Sequence, residues 1–150
     1  MTQITPHFSL EELTASETAE RNGWDNNPNG YERENLARLA DLLEQVKVVL
    51  GGKPIMINSA FRSKQVNDSV GSKDTSQHRL GCAADIRVPG MTPDQVVKAV
   101  MISGINFDQI IREFDRWTHI SVPNTVDTPA RKQALIIDKS GTRNYSDQKA

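Results

Sequence analysis

The chain has three histidines, and two of them stand in runs whose residue types could do chemistry. His78 lies in Ser76-Gln77-His78-Arg79-Leu80-Gly81-Cys82-Ala83-Ala84-Asp85, and His119 lies in Glu113-Phe114-Asp115-Arg116-Trp117-Thr118-His119. Two neutral imidazoles and one carboxylate are a common three-ligand set for a catalytic Zn²⁺ that keeps a position open for water. His78, Asp85 and His119 are the candidate set. A metal acidifies such a water toward neutral pH. Glu113 is a second carboxylate, suited to take a proton from that water and pass it to a leaving amine. Asp115 is the weaker candidate and reads as a turn residue. Taken alone, these residues leave open a structural or surface role for both histidines.

Positioning these groups requires strands and tight turns. Gly81 permits a turn between His78 and a strand at Cys82–Val88, on which Asp85 shares a face with Ala83 and Arg87. Cys82 falls on the opposite face and reads as a buried core thiol. Phe107–Glu113 and Trp117–Val122 read as two strands joined tightly through Asp115-Arg116. A hairpin centred on Arg116 would set Glu113 opposite His119, with Cβ atoms ~5 Å apart.

The remaining elements follow from periodicity and caps. Ser9 with Glu12 forms a capping-box signature for a short helix near Leu10. Leu36, Leu39, Leu43, Val46 and Leu50 mark a long amphipathic helix over Tyr31–Leu50, stopped by Gly51-Gly52. Pro54–Asn58 reads as a short buried strand and Ser63–Val70 as a short helix. Thr92-Pro93-Asp94-Gln95 opens a helix running to about Ser103. Ala134–Asp138 is a further strand. Asn22–Gly30 and Val70–Gln77 read as loops. The C-terminal SGTRNYSDQKA is polar and is expected to be loosely ordered. Helices mostly precede strands, which predicts an α+β fold with an antiparallel sheet.

Composition narrows the function. The 150 residues suit one domain over 1–150, with a core of motifs at about 7–122 and a C-terminal strand and polar tail at 123–150. Lys+Arg 18 against Asp+Glu 19 gives a net charge of -1, which argues against a generally basic nucleic-acid binder. A single cysteine excludes an intrachain disulfide framework and a multi-cysteine zinc site. The N-terminus lacks the pattern of a secretory signal, and no apolar run approaches the ~20 residues of a membrane span. A cytoplasmic product is therefore expected, without membrane insertion.

Together, the motifs resemble the zinc peptidases of the D-Ala-D-Ala carboxypeptidase/hedgehog superfamily, peptidase family M15. The resemblance rests on Ser76-x-His78-x-x-Gly81-x-Ala83-x-Asp85 and Glu113…Trp117-x-His119. It extends to His7–Leu13 (HFSLEEL), Ser59-Ala60-Phe61-Arg62-Ser63, Asn67 and Gly71–His78, features shared with short phage and prophage members. Several motifs in the same order are far more specific than any one alone.

The resemblance implies a hedgehog/DD-peptidase-like domain with Zn²⁺ held by His78, Asp85 and His119. It implies that Glu113 is the catalytic carboxylate, that Arg62 faces the substrate, that Ser76 lines the substrate site, and that Gln77 lies nearby. Trp117 stands where some relatives have a histidine, and is expected to pack under the site or form its wall. His7 is expected to anchor the N-terminal segment. Lys64 and Arg79 are expected to be solvated surface charges. The implied activity is a metallopeptidase, carboxypeptidase or endopeptidase, that cuts peptidoglycan stem peptides as a monomer. Its implied setting is endolysin-type lysis, reaching the wall from the cytoplasm after the membrane is permeabilised. The alternative is a non-catalytic, zinc-containing phage virion, tail or wall-binding module of the same fold.

Overall fold

Alternation along the strands dictates the layers, because successive side chains of a strand point to opposite faces. The structure, a computed structural model, describes residues 2–145. The N-terminal pair β1 (Gln3–Thr5) and β2 (Phe8–Ser9) leads into α1 (Leu10–Thr14), where Ser9 and Glu12 form the expected capping box. A second short helix, α2 (Glu17–Asn22), is capped by Ser16 and closed by Gly23 in the left-handed region. It has too few residues for periodicity to reveal it.

The long helix α3 (Gly30–Val49) buries Leu36, Leu39, Leu43 and Val46 completely. Asn29 and Glu32 cap its start reciprocally, and Gly51 and Gly52, both at positive φ, turn the chain away from its end. Next come β3 (Met56–Ser59), α4 (Lys64–Ser69), α5 (Gln77–Leu80), β4 (Ala83–Arg87) and α6 (Pro93–Ser103). The chain continues through β5 (Gln109–Glu113), β6 (Trp117–Ser121), β7 (Gln133–Asp138) and β8 (Gly141–Asn144). The fold is α+β, as the order of elements predicts.

The main sheet runs β3-β4-β6-β5-β7-β8, antiparallel throughout except for the parallel pair β5–β7. On one face Ala84, Ile86, Ile110, Ile120 and Ile136 join the apolar sides of α3 and α6 in one continuous core. Cys82 is fully buried in that core, as its strand parity predicts. The opposite face carries Asp85, Glu113, Trp117 and His119.

Three expectations need correction. The strand expected to be buried at Pro54–Asn58 is β3, an edge strand of the sheet with Met56 and Asn58 exposed. The hairpin is centred on Asp115, so Glu113 pairs with Trp117, and His119 pairs with Ile111. Phe114 and Asp115 both adopt positive φ, which closes the turn sooner than a centre at Arg116 allows. The slip is two residues, an even number, so Glu113 and His119 stay on one face as diagonal neighbours. The C-terminal run, expected to be loosely ordered from Ser140 onward, forms β8 against β7 over Gly141–Asn144. A bidentate Arg143–Asp138 ion pair, 2.8 Å at each contact, holds this hairpin. Residues 146–150 of that run lie outside the described residues.

Candidate metal centre and cleft

Strand pairing brings the candidate ligands together. Asp85 on β4 stands directly opposite His119 on β6, and Asp85 Oδ1 lies 3.0 Å from His119 Nδ1. His78 arrives from α5, with Nε2 3.3 Å from Asp85 Oδ2. One donor atom from each of His78, Asp85 and His119 lies within 4.8 Å of the others, so the cluster could hold a metal ion.

The donor chemistry fits a metal. His78 is 4% exposed, and its Nδ1 lies 2.7 Å from the carbonyl oxygen of Ala60. A carbonyl only accepts, so Nδ1 carries the proton and the Nε2 lone pair faces the cleft. Burial pushes the imidazole below its ordinary pKa, which favours this neutral form. Burial alone would raise the Asp85 carboxyl. The hydrogen bond from His119, with the adjacent His78 ring, outweighs it and holds the Asp85 carboxyl well below the usual carboxylate range.

Backbone contacts fix these groups. Gly81 caps α5 at φ +81°, and a Cβ there would meet the backbone oxygen of Glu32 at 2.8 Å. Only glycine suits both the left-handed turn and the close approach of α3. The Arg62 amide donates to the His78 carbonyl at 3.0 Å, tying the β3–α4 loop to α5. Asn26, which the sequence marks only as a loop residue, clamps the same segment. Its amide donates to the Thr14 and Phe61 carbonyls, and its oxygen accepts from the Ser63 amide at 2.7 Å. Nothing in the sequence pattern distinguishes Asn26 from the other asparagines of that loop. Arg79 pairs with the buried carboxylate of Glu32 and so joins α5 to α3, in contrast to its expected solvated role. Lys64 is an exposed surface charge, as expected, paired with Asp68 and Asp74. His7 anchors the N-terminal segment through Glu44, which accepts from its backbone amide and contacts its ring at 2.7 Å each.

The cluster lies at the base of a cleft of about 560 Å³. Arg62, Ser76, Glu113 and Trp117 line it with the three ligand candidates. Glu113 Oε1 is 4.0 Å from His119 Nδ1, while the Trp117 indole N–H donates to Glu113 Oε2 at 3.0 Å. Burial, reinforced by the charge of Asp85, pushes the Glu113 carboxyl up. The Arg62 guanidinium lies 3.6 Å from Asp85 Oδ2, and its Nε donates to Ser59 Oγ at 3.3 Å. Trp117 forms part of the wall, as expected, and also orients Glu113.

Gln77 does not line this cleft. Its amide nitrogen donates to Asp108, to the Val122 carbonyl and to Asn124, because the first turn of α5 points it toward β5 and the segment after β6. It lines a neighbouring hollow instead. Val70, Gly71 and Ser72 form a wall of the cleft, a role the sequence does not assign them although Gly71 and Ser72 open the Gly71–His78 motif. Its support was visible only as Asn67, which is fully buried and donates to the Lys73 carbonyl at 2.8 Å.

Among the described residues no helix is long and apolar enough to cross a membrane. Comparison with curated proteins gives no match. The sequence model of the family described as Peptidase M15 matches residues 6–121, well over half of the chain and inclusive of every residue of the cleft cluster; the chain belongs to the peptidase M15 family.

Proposed function

We propose that this chain is a zinc-dependent peptidase that hydrolyses peptide bonds in peptidoglycan stem peptides. The observation that carries the reading is the convergence of His78, Asp85 and His119 in one cleft with a separate, oriented carboxylate, Glu113, beside them. A purely structural metal site is usually closed by four protein ligands. Here the fourth side is open cleft.

His78, Asp85 and His119 would hold the ion, which supplies Lewis-acid polarisation and acidifies water when bound. Glu113 takes a proton from the water as its oxygen attacks the scissile carbonyl carbon. Arg62 faces the cleft as a fixed donor to the carbonyl oxygen as negative charge develops there. The C–N bond then breaks, and Glu113 returns the proton to the leaving nitrogen, giving a carboxylate and an amine. The Trp117 indole holds one Glu113 oxygen and leaves the other directed at the cluster.

Digestion of purified peptidoglycan by the zinc-loaded protein, with mass spectrometry of the products, tests this reading. New amino and carboxyl ends at one defined bond are expected, absent with His78→Ala. No cleavage of several wall types by a folded, zinc-loaded protein would overturn it in favour of a non-catalytic module of the same fold. An endolysin role belongs to the same proposal, supported by the likeness of His7–Leu13 and Gly71–His78 to short phage members. Expression together with a membrane-permeabilising agent is expected to lyse cells only when His78 is intact.

A further inference from the structure

A second hollow, of about 440 Å³, adjoins the cleft and shares Ser76 and His119 with it. It lies over β5, beyond His119 as seen from Asp85, because the sheet order runs β4-β6-β5. Gln109 and Ile111 form its floor, and Arg131 and Asn124 close its far side. Arg131 belongs to the connection between β6 and β7 and lies outside the residues matched by the family.

Arg131 is held in place with unusual completeness for a half-exposed side chain. Asp108, only 3% exposed, accepts from the Arg131 backbone amide at 3.1 Å, from Nε at 3.0 Å and from Nη2 at 2.6 Å. Gln77 donates to the same carboxylate at 3.1 Å, bracing it from the other side. This fork commits one edge of the guanidinium. Among the described residues nothing accepts from Nη1. The hollow thus offers a fixed cationic donor with one edge free, which suits a peptide carrying a carboxylate.

We propose that Arg131, positioned by Asp108, forms a subsite that binds a carboxylate of the substrate displaced from the scissile bond. The proposal rests on the peptidase reading for where the peptide lies. It gives the segment after β6 a part in substrate selection, and it separates this duty from that of Arg62, which Asp85 and Ser59 hold beside the cluster.

The test is calorimetric binding of a peptidoglycan-derived stem peptide with free carboxylates and of the same peptide fully amidated. It uses the zinc-loaded Glu113→Gln protein, so that binding is read without turnover. The free peptide is expected to bind about tenfold more tightly, the scale of one charge-assisted contact. Adding Arg131→Gln is expected to abolish the preference. Arg131→Lys, which keeps a cation against Asp108 and so protects the fold, is expected to reduce it several-fold. Equal affinity for the two peptides, a preference that survives a folded Arg131→Gln, or one unchanged in Arg131→Lys would overturn the subsite. Failure of both peptides to bind would also overturn it, while peptidoglycan hydrolysis by the unaltered protein would stand or fall separately.

Discussion

Glu113 and the three convergent groups differ in what their removal should do. Glu113 hydrogen-bonds to Trp117 and stands 4.0 Å from His119, so it is adjacent to the cluster without completing it. Glu113→Gln is expected to leave zinc affinity within about twofold while lowering kcat by about 10²–10⁴, the range for loss of a general base. Metal titration and steady-state kinetics on the same preparation check both halves. Asp85→Ala should reverse the pattern, losing metal first, because Asp85 touches both imidazoles. Trp117→Phe keeps the wall of the cleft and deletes only the donor to Glu113. A several-fold fall in kcat with KM unchanged is expected, since an orienting contact acts on the chemical step. At this scale the sequence was informative about which residue types could act. It was silent about Trp117 as an orienting group, because that contact depends on Trp117 standing opposite Glu113 in the hairpin.

That dependence belongs to the elements. Strand parity was legible: Asp85, Glu113 and His119 share a face, and Cys82 lies on the other. Register was not legible, because two consecutive residues at positive φ, one of them a phenylalanine, shorten the turn in a way that composition does not announce. The long helix α3, with its full apolar stripe and glycine stop, was read to within a residue or two. The short helices α2 and α5 were missed because their lengths of 6 and 4 residues hold too little periodic signal. Yet α5 carries His78, and its end is the most exacting turn in the site. Gly81→Ala would place a methyl 2.8 Å from the Glu32 carbonyl oxygen and put alanine in the left-handed region. The left-handed conformation alone costs about 1–2 kcal/mol. The variant should melt several degrees lower, and its zinc affinity should fall although no ligand has been changed. A lower Tm with zinc binding intact would show that α5 relaxes without carrying His78 away from the cluster.

Across the whole molecule, the sheet divides the work. One face is sealed into a continuous core by α3 and α6, and the other is left free for polar groups that would be intolerable inside it. The α+β class was legible because helices crowd the first two-thirds of the chain and strands the last. The parallel pairing of β7 with β5 was not, since a strand that returns to the far side of an earlier one leaves no local mark. This return path is held by Asp108, which precedes β5 and receives Arg131 from the connection leading to β7. Burial would raise the Asp108 carboxyl, but hydrogen bonds from Arg131 and Gln77 outweigh it and hold its pKa below the ordinary 3.8. A carboxyl whose pKa is lower in the folded chain than in the unfolded one stabilises the fold at pH values above 3.8. That contribution fades as pH falls through the folded value. Stability should therefore be flat from neutral pH to about 5 as far as this group is concerned, then decline with acid. Asp108→Asn removes the titration and leaves Arg131 facing a weaker acceptor. It is expected to lower stability at pH 7 and to flatten the acid limb, so that the gap between the two proteins narrows in denaturant melts as pH falls below 3.8. A gap that stays constant from pH 7 down through the acid limb would mean that the Asp108–Arg131 charge pair does not hold the return path to β7.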